Sequence, residues 1–273
     1  MSVDRHAVDS HAHVFDPSLP LARDRRYTPG RIATLDEYLG LLDANGIAHG
    51  VLTAPSFLGT DNGQLLAALE RADGRLRGTV IVEPTIGRDE LDRMAAAGVV
   101  GIRLNLFERP RLPDLATSDY RRLLEHVLDL DWHMEIYAES PKLVQLLPPL
   151  RAAGVRIVVD HFGTPVSDAG MACPGFAALL KALAEGRSWV KLSAPYRVPG
   201  VDLRACAAAL LKAGGDTRLV WGSDWPWLRY ENGLTYDGLL AGLAMHVPDP
   251  ATRARVLGAN ARELFHFPSS KPS

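Results

Sequence analysis

Short runs rich in Val, Ile and Leu alternate along the whole chain with stretches whose apolar residues recur every three or four positions. Runs of the first kind suit buried strands, and stretches of the second kind suit amphipathic helices. The pattern predicts strands at 7–15, 50–56, 77–83, 101–106, 133–138, 156–162, 189–193 and 218–223. Helices are predicted at 35–44, 63–72, 89–97, 119–130, 142–153, 175–184, 203–213 and 236–244. Asn45-Gly46 and Gly98 stop two of these helices. Strict alternation of strand and helix implies parallel strands joined by right-handed crossovers. The strands lack clean apolar–polar alternation, as expected where helices cover their outer faces. An open doubly wound sheet is the competing architecture, but no strand is followed by GxGxxG. Eight regular units favour an α/β fold of the (β/α)8, or TIM, barrel type. Residues 251–265 read as one extra C-terminal helix, packed outside the catalytic face. With no linker, repeat or low-complexity stretch, a single domain over 1–273 is expected.

Composition narrows this picture. A length of 273 residues suits one barrel, and 47% hydrophobic content suffices for its core. Lys plus Arg total 30 against 32 for Asp plus Glu, a balance that gives no support to nucleic-acid or membrane-surface binding. The chain opens without a signal-like apolar run, and no window reaches the roughly 18 apolar residues of a membrane span. A cytoplasmic protein is the expectation, with Cys173 and Cys206 as reduced thiols.

In such a barrel the catalytic face is the carboxyl-terminal end of the strands. The first predicted strand ends Asp9-Ser10-His11-Ala12-His13, and alternation turns both histidines to one side, into the mouth. The sixth ends Asp160-His161-Phe162-Gly163 and the eighth Gly222-Ser223-Asp224-Trp225-Pro226. A single histidine at a strand end is more often structural, and an Asp in a Gly-Ser-Asp loop is often a turn residue. His11, His13, His161 and Asp224 together, all at the correct end, form a candidate catalytic set. Arg103 and Asn105 share a face of the fourth strand, with Arg109 in the loop beyond, and Arg197 follows the seventh strand. A guanidinium fork suits a carboxylate, although arginine is also a common solvated surface charge.

DSHAHVF, GIRLNLFERPR, DHFG, KLSAPYR and WGSDWP, in this order over nearly the whole chain, resemble the amidohydrolase superfamily. More narrowly they resemble its branch that contains 2-pyrone-4,6-dicarboxylate lactonase and related sugar and muconolactone lactonases. The resemblance implies a hydrolase that opens a cyclic ester. It also implies that Arg103, Arg109 and Arg197 meet the substrate's carboxylates, that Ser56 and Tyr137 make polar substrate contacts, and that Asp224 activates water. Typical amidohydrolases hold one or two metal ions with HxH, histidines on strands five and six, and the strand-eight Asp. Here the fifth strand ends without histidine: His133 opens it, where a structural role is expected. No lysine ends the fourth strand, which argues against a carbamate-bridged pair of ions. His11, His13, His161 and Asp224 remain able to hold a single zinc ion, although a metal-free centre is favoured. The expected partner is a small anionic substrate, a dicarboxylate lactone. The alternatives are a zinc-dependent sugar-acid lactonase, a metal-dependent decarboxylase, and a barrel that only binds.

Overall fold

The computed structural model describes residues 6–16, 18, 20–166 and 170–268. The single unit expected over 1–273 therefore extends at both ends beyond the described residues. Eight strands run β1 (Val8–Ala12), β2 (His49–Thr53), β3 (Leu76–Val80), β4 (Val99–Asn105), β5 (His133–Tyr137), β6 (Arg156–Val159), β7 (Ser188–Ser193) and β8 (Leu219–Gly222). They form one parallel sheet in sequence order. The ring closes just beyond β8, where Asp224 N donates to His11 O and His13 N donates to Trp225 O, both at 2.8 Å. The outer helices are α1 (Leu35–Ala44), α2 (Gly63–Arg71), α3 (Arg88–Ala96), α4 (Ser118–Asp129), α5 (Leu143–Ala152), α6 (Pro174–Ala184), α7 (Leu203–Gly214) and α8 (Tyr236–His246). The predicted elements all form, mostly within two residues of their expected limits; strands β1, β2, β3 and β6 stop about three residues sooner, where the chain turns into the loops of the mouth.

Local chemistry explains the helix starts. Thr34 caps α1 in a reciprocal box with Glu37, and Asp202 accepts from Arg204 N and Ala205 N at the start of α7. The outer apolar faces of the strands and the inner faces of the helices merge into one core containing Leu52, Ile102, Ile136, Leu179 and Leu210.

The C-terminal expectation needs correction. In place of one helix over 251–265 there are two, α9 (Pro250–Leu257) and α10 (Ala259–Leu264), broken at Gly258. A Cβ at Gly258 would lie 3.3 Å from Ala254 O and 3.4 Å from His6 O, so the bend rests on a close backbone approach. The bend lets Ala261, Leu264, Phe265 and Phe267 pack onto Val8, Val51, Val158, Trp189 and Val220. This second core fills the amino-terminal end of the barrel, opposite the catalytic face. His133 lies at this filled end, buried with its ring edge-on to Phe265 and its Nε2 3.3 Å from Thr79 Oγ1.

Candidate active site

The carboxyl-terminal strand ends enclose a cavity of about 160 Å³, lined by His13, Ser56, Arg103, Tyr137, His161, Arg197 and Asp224 among others. Asp224 stands at its base. Asp224 Oδ1 is 3.6 Å from His11 Nε2, 3.6 Å from His13 Nε2 and 4.0 Å from His161 Nε2. Its other oxygen is occupied, since Tyr196 OH donates to Oδ2 at 2.6 Å and Arg197 Nε at 2.7 Å. The carboxylate thus keeps one face committed and turns the other to the three imidazoles.

The backbone fixes this geometry. Asp9, which a register irregularity separates from Ala12, accepts from Ser223 N at 2.8 Å, Ser223 Oγ at 2.6 Å and Tyr236 OH at 3.0 Å. That clamp pins the residue preceding Asp224 to the first strand. Gly222 is required beside it, because a Cβ there would come within 2.7 Å of His11 Cβ. Asp224, His161, Phe162 and Ala194 all have positive φ, between 48° and 58°, directly after β8, β6 and β7. Non-glycine residues held in this region cost on the order of 1–3 kcal/mol each and cluster at functional sites.

Electrostatics follow from burial. Burial alone would raise the Asp224 carboxyl, yet the Arg197 guanidinium holds it well below the usual carboxylate range, so Asp224 is ionised at neutral pH. Burial, reinforced by the charge of Lys191, pushes His11 down to about 4. Burial pushes His161 down to about 3, although Asp224 pulls the other way. Both rings are therefore neutral hydrogen-bonding groups at pH 7. His13 Nδ1 lies 2.6 Å from Thr53 O and so carries the ring proton, which in the neutral ring leaves Nε2 free to accept.

Beneath the imidazoles lies a group that sequence reasoning did not assign: Lys191 on β7, Glu135 on β5 and Asp160 after β6, all with no exposed side-chain surface. Lys191 Nζ is 2.5 Å from Glu135 Oε2 and 3.4 Å from Asp160 Oδ1. Arg103 reaches the same acids, with Nη2 2.9 Å from Asp160 Oδ2 and Nε 3.1 Å from Glu135 Oε1. Two cations thus face two anions, and removing one partner of such a set typically costs about 3–5 kcal/mol. A sequence signal existed: Lys191 in Trp189-Val190-Lys191-Leu192-Ser193 and Glu135 in His133-Met134-Glu135-Ile136-Tyr137 are lone charges mid-strand. Such charges are tolerated only where a barrel interior supplies partners.

The arginines expected at the substrate divide. Arg103 and Arg197 line the cavity, each already paired with a buried carboxylate. Ser56 and Tyr137 line it too. Arg109 does not: its Nη1 is 2.7 Å from Asp24 Oδ2, outside the lining. Arg26 lines the cavity instead, with Nη2 3.0 Å from Asn105 Oδ1 and Nη1 3.2 Å from the exposed Glu108. Among the described residues its buried Nε has no hydrogen-bond partner.

His11, His161 and Asp224 offer ligand atoms within 4.8 Å of one another, so the cluster could hold a metal ion. His13 Nε2, 3.6 Å from Asp224 Oδ1, is a further nitrogen of the kind that zinc takes, although it falls outside that mutually close group.

The amidohydrolase model matches residues 8–267, essentially the whole barrel. The chain belongs to the amidohydrolase family. It is 31% identical to a 2-pyrone-4,6-dicarboxylate hydrolase of Comamonas testosteroni, over 95% of this chain and 90% of that protein. To a 4-sulfomuconolactone hydrolase of Rhizobium radiobacter it is 32% identical, over 97% and 91% respectively. Among solved structures, a Pseudomonas putida protein provisionally named a 2-pyrone-4,6-dicarboxylic acid hydrolase superposes with a TM-score of 0.90. That chain is 41% identical, and the match covers 98% of this chain and all of that one. This amidohydrolase barrel therefore has full-length relatives named for lactone hydrolysis, and the motifs at its strand ends are those that enclose the cavity.

Proposed function

We propose that this amidohydrolase opens the ring of a small lactone that bears carboxylates, with 2-pyrone-4,6-dicarboxylate as the leading candidate. The observation that carries the reading is the divided environment of Asp224: Oδ2 fixed by Arg197 and Tyr196, Oδ1 turned to the imidazoles and the cavity. In this reading Asp224 Oδ1 takes a proton from water as the water oxygen bonds to the lactone carbonyl carbon. Imidazole N–H donors at His11 and His161 stabilise the resulting oxyanion, and the bare Nε2 of His13 helps to orient the water. The carbon–oxygen ring bond then breaks, and the proton held by Asp224 passes to the departing oxygen. The low proton affinity of Asp224 makes it a weak base, so polarisation of the carbonyl carries much of the barrier reduction.

Four guanidinium groups line the cavity, on Arg26, Arg103, Arg197 and Arg229, and they favour an anionic substrate over a neutral sugar lactone. Ser56 and Tyr137 add hydroxyl donors for a carboxylate. If a zinc ion binds, His11, His13, His161 and Asp224 hold it. It would then polarise the carbonyl and acidify water. The proposed reaction runs on side chains alone, because Arg197 and Tyr196 already meet the charge of Asp224. The test is a panel of lactones, the pyrone dicarboxylate included, followed by absorbance and proton release, with and without chelator. Ring opening unaffected by chelator is the expected result. Failure on every lactone would overturn the reaction class. Loss of activity on chelation with recovery in zinc would overturn the side-chain mechanism.

A further inference from the structure

Lys191 is fully buried at the centre of the barrel, and the reaction above does not use it. An ammonium has three N–H donors and no lone pair. Those of Lys191 face three groups: Glu135 Oε2 at 2.5 Å, His11 Nδ1 at 3.0 Å and Asp160 Oδ1 at 3.4 Å. The contact with His11 is the informative one. An ammonium can only donate, so a hydrogen bond from Lys191 to His11 Nδ1 requires that this nitrogen be bare and that the ring proton sit on Nε2. Asp160 Oδ1 competes for the same nitrogen from 3.3 Å and would favour the other tautomer, but the Lys191 contact is the shorter of the two. Asp160 is in any case engaged through Oδ2 by Arg103.

We infer that Lys191 is a positioning residue that holds His11 in its Nε2–H tautomer, so that His11 presents a donor to the reacting carbonyl. The inference rests on the lactone-hydrolase reading for its catalytic consequence and on the structure alone for the tautomer. Two observations agree with it. His11 Nε2 is buried, has no hydrogen-bond partner among the described residues and lies 3.6 Å from Asp224 Oδ1, so that a proton on it faces the carboxylate that activates water in the reaction above. The neighbouring His13 has the opposite arrangement, with Nδ1–H fixed on Thr53 O and Nε2 bare. The HxH pair is thereby divided into one donor and one acceptor by what stands behind each ring. It also places the two rings differently toward a metal: His13 is ready to ligate through Nε2, whereas His11 must first lose the hydrogen bond from Lys191.

The decisive experiment is nuclear magnetic resonance of the full chain labelled with 15N-histidine, near pH 7.5, with His11 assigned by comparison with His11→Gln. The wild-type spectrum should show His11 protonated at Nε2 and His13 protonated at Nδ1. A Lys191→Met/Glu135→Gln double variant removes one cation and one anion together and so keeps the buried charge balanced. In it, His11 should move to the Nδ1–H tautomer facing Asp160, and kcat on the lactone should fall about 10²–10³-fold, as for loss of one oxyanion donor, with KM little changed. Wild-type His11 protonated at Nδ1, or a folded double variant that keeps Nε2–H, would overturn the inference. Should the double variant not fold, the wild-type spectrum alone still decides. Should no lactone be opened, the spectra still test the Lys191–His11 relation, so the two failures are distinguishable.

Discussion

Acid should destabilise this barrel well before its carboxylates begin to titrate. His11 sits at about 4 and His161 at about 3 in the folded protein, against about 6.5 in an unfolded chain. Both rings bind protons more readily when unfolded, so stability falls as pH falls, beginning near 6.5 and continuing to the folded values. At pH 5 each ring favours unfolding by about 2 kcal/mol, and the two together by about 4 kcal/mol. His133, also lowered by burial, adds in the same direction. Asp224 and Asp160 behave oppositely: their folded values lie below the usual range, so the stability they supply is present above about pH 4 and lost only below it. In the interval from 6.5 to 5 the histidines are opposed by Asp9, which burial raises, so that it binds its proton more readily when folded and offsets part of the loss. Domains are commonly stable by only about 5–15 kcal/mol, so this loss is substantial. Urea unfolding at pH 7.5 and 5.0, followed by tryptophan fluorescence, measures it. With a slope of about 2–3 kcal/mol per molar, the midpoint should drop by roughly 1.5–2 M. His161→Asn should remove about half of the drop, since Asn does not titrate. Equal midpoints at the two pH values would refute the view that these rings are buried and neutral.

Other outcomes follow from the same geometry. Asp224→Asn should leave circular dichroism unchanged and lower kcat for lactone opening by roughly 10²–10⁴-fold, the usual contribution of a general base. Arg26→Gln should raise KM for a dicarboxylate lactone by about ten-fold or more, the worth of one charge-assisted hydrogen bond, and Arg109→Gln much less. The reverse order would show that Arg109 leaves Asp24 to meet substrate. Gly101→Ala should lower the thermal midpoint, since its Cβ would collide with the His133 ring; overpacking of this kind typically costs about 1–3 kcal/mol.

The strand ends were legible because alternation and barrel direction together place His11, His13, His161 and Asp224 at one mouth. Arg103, Arg197, Ser56 and Tyr137 also line the cavity, the positions implied by family resemblance. What escaped the reading depends on register and loops. Lys191, Glu135 and Asp160 meet through the staggered register of β5, β6 and β7, in which Glu135 pairs with Val158 and Val158 with Trp189, and no single strand reveals that. Arg26 comes from the long loop before α1, and the preference of Arg109 for Asp24 joins two such loops. The break at Gly258 was hidden because apolar spacing continues across it, while the close approach to His6 comes from elsewhere in the chain.

The second core at the amino-terminal end of the barrel has a consequence for biosynthesis. Ala261, Leu264, Phe265 and Phe267 follow all eight strands, yet they cover residues of β1, β2, β6, β7 and β8. A nascent chain can therefore pair its strands but must leave its floor open to water until those four residues have cleared the ribosome. An interruption in translation just before Gly258 would yield a barrel with every catalytic residue present and its underside exposed, a species suited to capture by chaperones or to aggregation rather than to turnover.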